Sequence, residues 1–326
     1  MPISCRVTRG DLTESIHVAF AVVVDSSGQV IYSAGDPSFL TCIRSSLKPF
    51  QAAASVQKGA IDLAGFNDKE LALMCSSHMG EAIHIDTAKS MLDKLGLTAK
   101  SYECGSHLPS EISVRNKLIR NGEKPTPLHN NCSGKHAGML ALAKYFGDDV
   151  INYIDKDHPV QTTIIRYIEE LIGEKNLSLE IDGCSAPVPF MTLEMIAKLF
   201  QLLGQGEKPE LERIFNAMTS YPDIIGGTNH FDSAFAKALR GRGLTKVGAE
   251  SVRGVSLKTE NDKSIGIAIK VLDGNFRALQ VITMKLLEHL NLLKEDELKE
   301  LNRFRLQKLK NHNGLETGRI EAYIDY

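Results

Sequence analysis

The chain has 326 residues, of which 43% are hydrophobic and 24% charged, with no Trp and a formal charge of -2. That length fits one elaborate domain or two intimately joined ones, and a near-neutral charge gives no reason to expect nucleic acid or an anionic membrane as partner. No apolar run approaches the ~20 residues that span a bilayer, and the start MPISCRVTRGDLTES lacks the apolar stretch of a secretory signal, so the expected location is cytoplasmic.

Residues 17–34, HVAFAVVVDSSGQVIYSA, predict two strands around the turn Asp25-Ser26-Ser27-Gly28. Helices are predicted to begin near Ser45, Lys69, Glu81 and Glu111, then at Lys135, Val160, Leu193, Pro209 and Phe231. VRGVSLKTENDKSIGIAIKVLDG predicts a second hairpin with a polar turn at Asn261-Asp262-Lys263. NFRALQVITMKLLEHL and the charged DELKELNRFRLQKLKN both read as helices, and the final HNGLETGRIEAYIDY has no readable pattern. Strands near both ends with helices between imply an α+β fold. One antiparallel sheet would come from N- and C-terminal strands, at about 1–40 and 245–275, with helices 276–310 packed on it. A helical subdomain at about 45–240 is inserted, and residues 1–326 form a single domain. No repeat, low-complexity tract or flexible linker interrupts the chain.

Six single cysteines, Cys5, Cys42, Cys75, Cys104, Cys132 and Cys184, make neither a disulfide framework nor a CxxC site. RSSLKPFQ (44–51) places Ser45 and Lys48 three residues apart, on one face of a helix beginning near Ser45. A serine hydroxyl is a poor nucleophile until a base takes its proton. A lysine in a mostly apolar pocket loses preference for its charged form and can serve as that base. A polar first helical turn explains most Ser-x-x-Lys pairs, so the pair alone leaves both readings open. MCSSHMGE (74–81) then sets Ser76, Ser77 and His78 before Gly80, which also reads as a plain turn and cap. GVSLKTE (254–260) sets Lys258 at the end of an apolar strand, where a solvated lysine is ordinary. Together the three stretches echo the order of the Ser-x-x-Lys, second-serine and Lys-Thr-Gly elements of penicillin-binding proteins and serine β-lactamases, although neither S-D-N nor K-T-G stands here as such. HNNCSGKHAGML (129–140) and the proline-rich loop IDGCSAPVPF (181–190) carry Cys132 and Cys184, for which spacing alone favours buried thiols over a metal site.

SSLKPFQ, SSHMGE, NNCSGKHAGML, DGCSAPVPF and GTNHFDSAF, in this order over roughly residues 15 to 275, resemble the Rhizobium-type L-asparaginases. The resemblance implies a serine β-lactamase/penicillin-binding-protein-like fold and hydrolysis of L-asparagine to L-aspartate and ammonia through a serine acyl-enzyme. It implies two Ser–Lys tandems, Ser45 with Lys48 and Ser77 with Lys258, and one zinc per chain on Cys132, Lys135 and Cys184. Arg44, Asn131, His136 and Asp182 become candidates for contacting the substrate, with Asp182 placed to orient the metal site. A homodimer is expected, with a small molecule and neither nucleic acid nor membrane as partner. Glutaminase or other small-amide hydrolase activity, a β-lactam-binding or peptidase-like enzyme, and a catalytically silent amino-acid sensor are the competing readings. GAESVRGVSLKTE departs from the family pattern ahead of the strand, which loosens the assignment of Lys258.

Overall fold

The computed structural model describes residues 1–147, 149–259 and 263–324. In chain order its strands are β1 (Ile3–Arg9), β2 (Leu12–Val24), β3 (Val30–Ala34), β4 (Leu40–Cys42), β5 (Leu179–Ile181), β6 (Pro187–Thr192), β7 (Gly243–Gly248), β8 (Val252–Lys258), β9 (Ser264–Val271), β10 (Gln307–Lys310) and β11 (Glu316–Tyr323). Its helices are α1 (Lys48–Gln57), α2 (Ala60–Leu63), α3 (Asp68–Met74), α4 (Ala82–Leu95), α5 (Ile112–Arg120), α6 (Ser133–Phe146) and α7 (Pro159–Ile172). They continue with α8 (Leu193–Gln205), α9 (Pro209–Ser220), α10 (Pro222–Ile225), α11 (Phe231–Leu239), α12 (Phe276–His289) and α13 (Glu295–Glu300). The chain divides into two units: Met1–Ser46, Met191–Gln205 and the residues from Ala234 onward, and Leu47–Phe190 with Gly206–Ser233.

The first unit is an antiparallel sheet in the order β10-β11-β1-β2-β9-β8-β7, with β3 also paired to β2. Strands from the two ends of the sequence meet twice: Cys5 lies opposite Ala322, and Ala21 opposite Ile269. β2 and β9 hold the centre because Ala21–Val24 and Gly266–Val271 are buried on both faces, the composition that a covered strand requires. α8 packs on β8 and β9, and glycine sets the spacing: a methyl at Gly254 would overlap the Phe200 ring, and one at Gly266 the Ala197 carbonyl. α12 starts where the Asn275 side chain accepts from the Arg277 amide, and it packs against β1, β9 and β11.

The fold class and both predicted hairpins match the structure; of the second turn, Asn261 and Asp262 lie outside the described residues. DELKELNRFRLQKLKN is corrected. It is α-helical only over α13, with a 3-10 turn at Asn302–Phe304, and Gln307–Lys310 pairs with β11 instead, so sheet pairing overrides a local helical pattern. The unread HNGLETGRIEAYIDY supplies β11, and its Asp325 and Tyr326 lie outside the described residues.

The second unit is helical around α6, whose residues Ser133–Ala143 are all buried among α1, α2, α3, α4 and α7. Gly134 and Gly138 admit α3 at close range, since a methyl at either would overlap Leu73 or Met74. IDGCSAPVPF, predicted as a loop, is a hairpin: Ile181 pairs with Pro187, and Asp182–Ser185 make the turn, with Ser185 in the left-handed region at φ 72. Among the described residues no helix is long and apolar enough to cross a membrane.

Candidate active site

Lys48 opens α1, with Pro49 directly after it, a residue whose missing N–H costs nothing in a first turn. Its side chain is 1% exposed. Nζ donates to the carbonyls of Ser76 (2.5 Å) and Asn131 (2.9 Å) and stands 3.1 Å from Ser77 Oγ. The close α3–α6 contact explains the meeting, because MCSSH leaves the end of α3 while NNCSG leads into α6. With two carbonyls taking two amine hydrogens, the third position of Nζ is directed at the Ser77 oxygen, the line along which a proton would pass between amine and alcohol. That is the geometry of a general base beside its alcohol.

A histidine pair backs this loop. The Gly80 amide donates to His78 Nδ1, so His78 Nε2–H donates to Ser133 Oγ at 2.9 Å. His78 stacks on His84 with ring centroids 5.0 Å apart. Burial drives both imidazoles below their ordinary range, and for His78 the charges of His84 and Lys48 act in the same direction. Asn131 is held from the other side, its amide donating to His107 Nε2 at 3.1 Å.

Cys132 and Lys135, at i and i+3 of the first turn of α6, converge with Cys184 from the β5–β6 turn. Lys135 Nζ lies 2.8 Å from Cys184 Sγ, and all three side chains are buried. Cys184 is pulled down to about 5, by the hydrogen bond from Cys132 first and then by the Lys135 ammonium, against the opposing effect of burial. Cys132, whose Sγ also lies 3.3 Å from Asn131 Oδ1, is pushed up to about 12 by the Cys184 sulfur and by burial. Burial alone would lower Lys135, but the Cys184, Cys132 and Asp182 charges outweigh it, and its ammonium form is favoured. Asp182 Oδ2 is 3.8 Å from Cys184 Sγ. Two sulfurs and an amine meet here in a buried space, a donor set that suits a borderline-soft cation such as zinc once the cation displaces the Lys135 proton. Among the described residues no cluster of three or more His, Cys, Asp and Glu offers an alternative metal site.

His136, next on α6, has Nδ1 at 2.7 Å from the Tyr153 hydroxyl. Burial, with Lys135 beside it, pushes this imidazole down to about 3.

In the first unit, the 3-10 turn Arg44–Leu47 precedes α1, so the helix predicted from Ser45 begins at Lys48 instead. Arg44 takes a left-handed backbone (φ 52), a costly conformation for a side chain with a Cβ, and Ser45 follows directly. The turn is clamped to the end of β7: Ser46 Oγ donates to the Lys246 carbonyl at 2.9 Å, and a methyl at Gly248 would stand 2.8 Å from the Ile43 carbonyl. Lys258 is not brought to this turn. Gly248 pairs with Val252 at one end of β8, and Lys258 is at the other, six steps or ~20 Å along the strand. The lysine whose main chain does lie beside the Ser45 turn is Lys246, fully buried on β7, with its Nζ donating to the Val247 carbonyl at 2.7 Å. Sequence reasoning missed it. The available signal was Lys246-Val247-Gly248, a Lys-x-Gly on a strand, which is nearer the Lys-Thr-Gly pattern than Lys258-Thr259 is.

The L-asparaginase II family model matches residues 5–322, and the chain belongs to that family, whose members act on a small-molecule amide. Among curated proteins, none matches this sequence. Similar solved structures include a β-lactamase from Sphaerobacter thermophilus, 13% identical over 85% of this chain and 92% of that one, with a TM-score of 0.43. The TLA-3 extended-spectrum β-lactamase is also 13% identical, over 78% of this chain and 84% of that one, with a TM-score of 0.37.

Proposed function

We propose that the protein is an L-asparagine amidohydrolase that releases L-aspartate and ammonia through a serine acyl-enzyme. Family membership supports the reaction class, and the contact of Lys48 with Ser77 Oγ supports the chemistry. In this reading a serine oxygen attacks the side-chain amide carbon, and its proton passes to lysine. The tetrahedral oxyanion is held by backbone N–H groups, one of them that of Ser45, and ammonia leaves with a returned proton. Once ammonia has left, water attacks the acyl carbon, breaking its bond to the serine oxygen, which regains a proton as L-aspartate departs. The resemblance assigns Ser45 as nucleophile with Lys48 as its base. Its second tandem is Ser77 with Lys258.

A second reading makes Ser77 the nucleophile, because the Lys48 amine lies 3.1 Å from its oxygen. Cys132, Lys135 and Cys184 would hold zinc, which when bound supplies positive charge that orients a carboxylate of the substrate. Asn131, His136, Asp182 and Arg44 are the candidates for contacting the substrate's charged ends, the Arg44 guanidinium suiting a carboxylate. A homodimer remains part of the proposal.

Ammonia release from L-asparagine and L-glutamine, on purified protein of known zinc content, tests the reading. Ser45→Ala and Ser77→Ala separate the nucleophiles: the true one abolishes the acyl-enzyme trapped by rapid quench and seen as a mass increment, and the other slows turnover while the increment still forms. Release from neither amide by the unaltered protein would overturn the amidohydrolase assignment for these substrates.

A further inference from the structure

One buried hydrogen-bond chain behind the thiol site is left with a loose end. The Glu103 amide donates to the Tyr153 hydroxyl oxygen at 2.9 Å, and that hydroxyl lies 2.7 Å from His136 Nδ1. The Glu103 amide takes one lone pair of the phenol oxygen, and among the hydrogen bonds of the described residues His136 Nδ1 is the acceptor that the phenol proton meets. Tyr153 therefore donates to Nδ1, and the neutral imidazole must carry its own proton on Nε2. Nε2 is completely buried and meets no hydrogen-bond partner. An orphaned buried donor is expensive and marks a place for an acceptor. Its position on α6 says which acceptor. Cys132, Lys135 and His136 stand at i, i+3 and i+4, one face of a single helical turn, so the donor belongs to the face that carries the thiol and amine cluster.

We propose that Tyr153 is a positioning residue that locks His136 as the Nε2–H tautomer, and that this N–H is spent on a carboxylate of the bound acidic amide. The proposal rests on the amidohydrolase reading for its ligand, but not for its tautomer. A charged acceptor is favoured because it repays burial of the donor more fully than a neutral carbonyl does. Since substrate and product share that carboxylate, the bond acts on binding and leaves the chemical step alone.

Nitrogen NMR of histidine-labelled protein tests both halves, with His136→Gln identifying the His136 signal among the chain's ten histidines. The expected spectrum shows the proton on Nε2, with the Nε2–H resonance moving on addition of L-aspartate. Tyr153→Phe should release the tautomer into a mixture, weaken L-aspartate binding about tenfold, and raise KM for L-asparagine by the same factor with kcat within about twofold. A proton on Nδ1 in the unaltered protein overturns the proposal. So does L-aspartate that binds without moving the Nε2–H signal, which would assign the donor to an internal water. A fall in kcat at constant KM overturns the carboxylate as its acceptor. If L-aspartate does not bind and no amide is hydrolysed, the acidic-amide ligand falls together with the functional reading, while the tautomer spectrum is still decided.

Discussion

α6 and α12 are both 14-residue helices, and both are largely buried, yet they are buried to different ends. In α12 the buried residues are apolar apart from Thr283, whose hydroxyl is spent one turn back on the Leu279 carbonyl at 2.7 Å. The first turn of α6 buries Ser133, Lys135 and His136, and each is answered from far along the chain, by His78, Cys184 and Tyr153. Burying an amine and an imidazole costs free energy that a leucine in the same place would not. The contrast separates a helix that is there to hold a sheet from one that is there to hold a site.

The largest effect expected from breaking this contrast is catalytic. Lys48→Met leaves the Ser76 and Asn131 carbonyls without their donor and removes the proposed base, and ammonia release should fall by about 10^3-fold or more. Leu279→Ala in α12 should instead cost ~2–5 kcal/mol of stability and leave kcat per folded molecule unchanged. Urea denaturation alongside steady-state kinetics checks the pair, and equal loss of kcat in both would erase the distinction.

Gly134→Ala sharpens it from the packing side. The new methyl would meet the Leu73 backbone carbonyl, which cannot step aside, and the expected loss is ~1–3 kcal/mol with Lys48 drawn off Ser77. Gly138→Ala meets the mobile end of Met74 and should cost less, as thermal unfolding of the two variants would show.

A smaller effect comes with pH. His136 is depressed to about 3, and His78 and His84 are also lowered by burial, whereas α12 buries no titratable group. A lowered histidine contributes stability that is fully present above its unfolded value of ~6.5 and is lost as pH falls toward the folded value. Each such group steepens the loss by up to ~1.4 kcal/mol per pH unit below that point. Urea midpoints at pH 6.5 and pH 5.0 should drop in the unaltered protein and drop less in His136→Gln. Parallel behaviour of the two proteins would show that His136 takes up no proton on unfolding.

Much of this arrangement is legible in the sequence, and the part that is not has a physical reason. Helix starts at Pro159, Leu193, Pro209 and Phe231 fall where proline, capping residues and apolar period place them, within a residue of expectation. Ser77 and Lys48 stand out by residue type, but the 3.1 Å contact between them depends on Gly134 and Gly138, whose role is visible only once α3 lies against α6. β11 is unreadable locally because GRIEAY takes its strand identity from pairing with β1, more than three hundred residues earlier. Lys246 went unread for a related reason. A lysine in GLTKVG looks like a solvated strand residue until β7 proves to be buried throughout.

The pairing of β1 with β11, and of β2 with β9, also has a consequence for how the protein is born. At the ~5–20 residues per second of synthesis, β1 leaves the ribosome roughly 15 to 60 seconds before the strand it needs. Through that interval the hairpin of β1 and β2 presents open edges with nothing native to pair with, while the helices of the second unit already have most of their partners. Chaperone demand, and the risk of misassembly between nascent chains, should therefore concentrate in β1 and β2, ahead of every residue proposed to carry the chemistry.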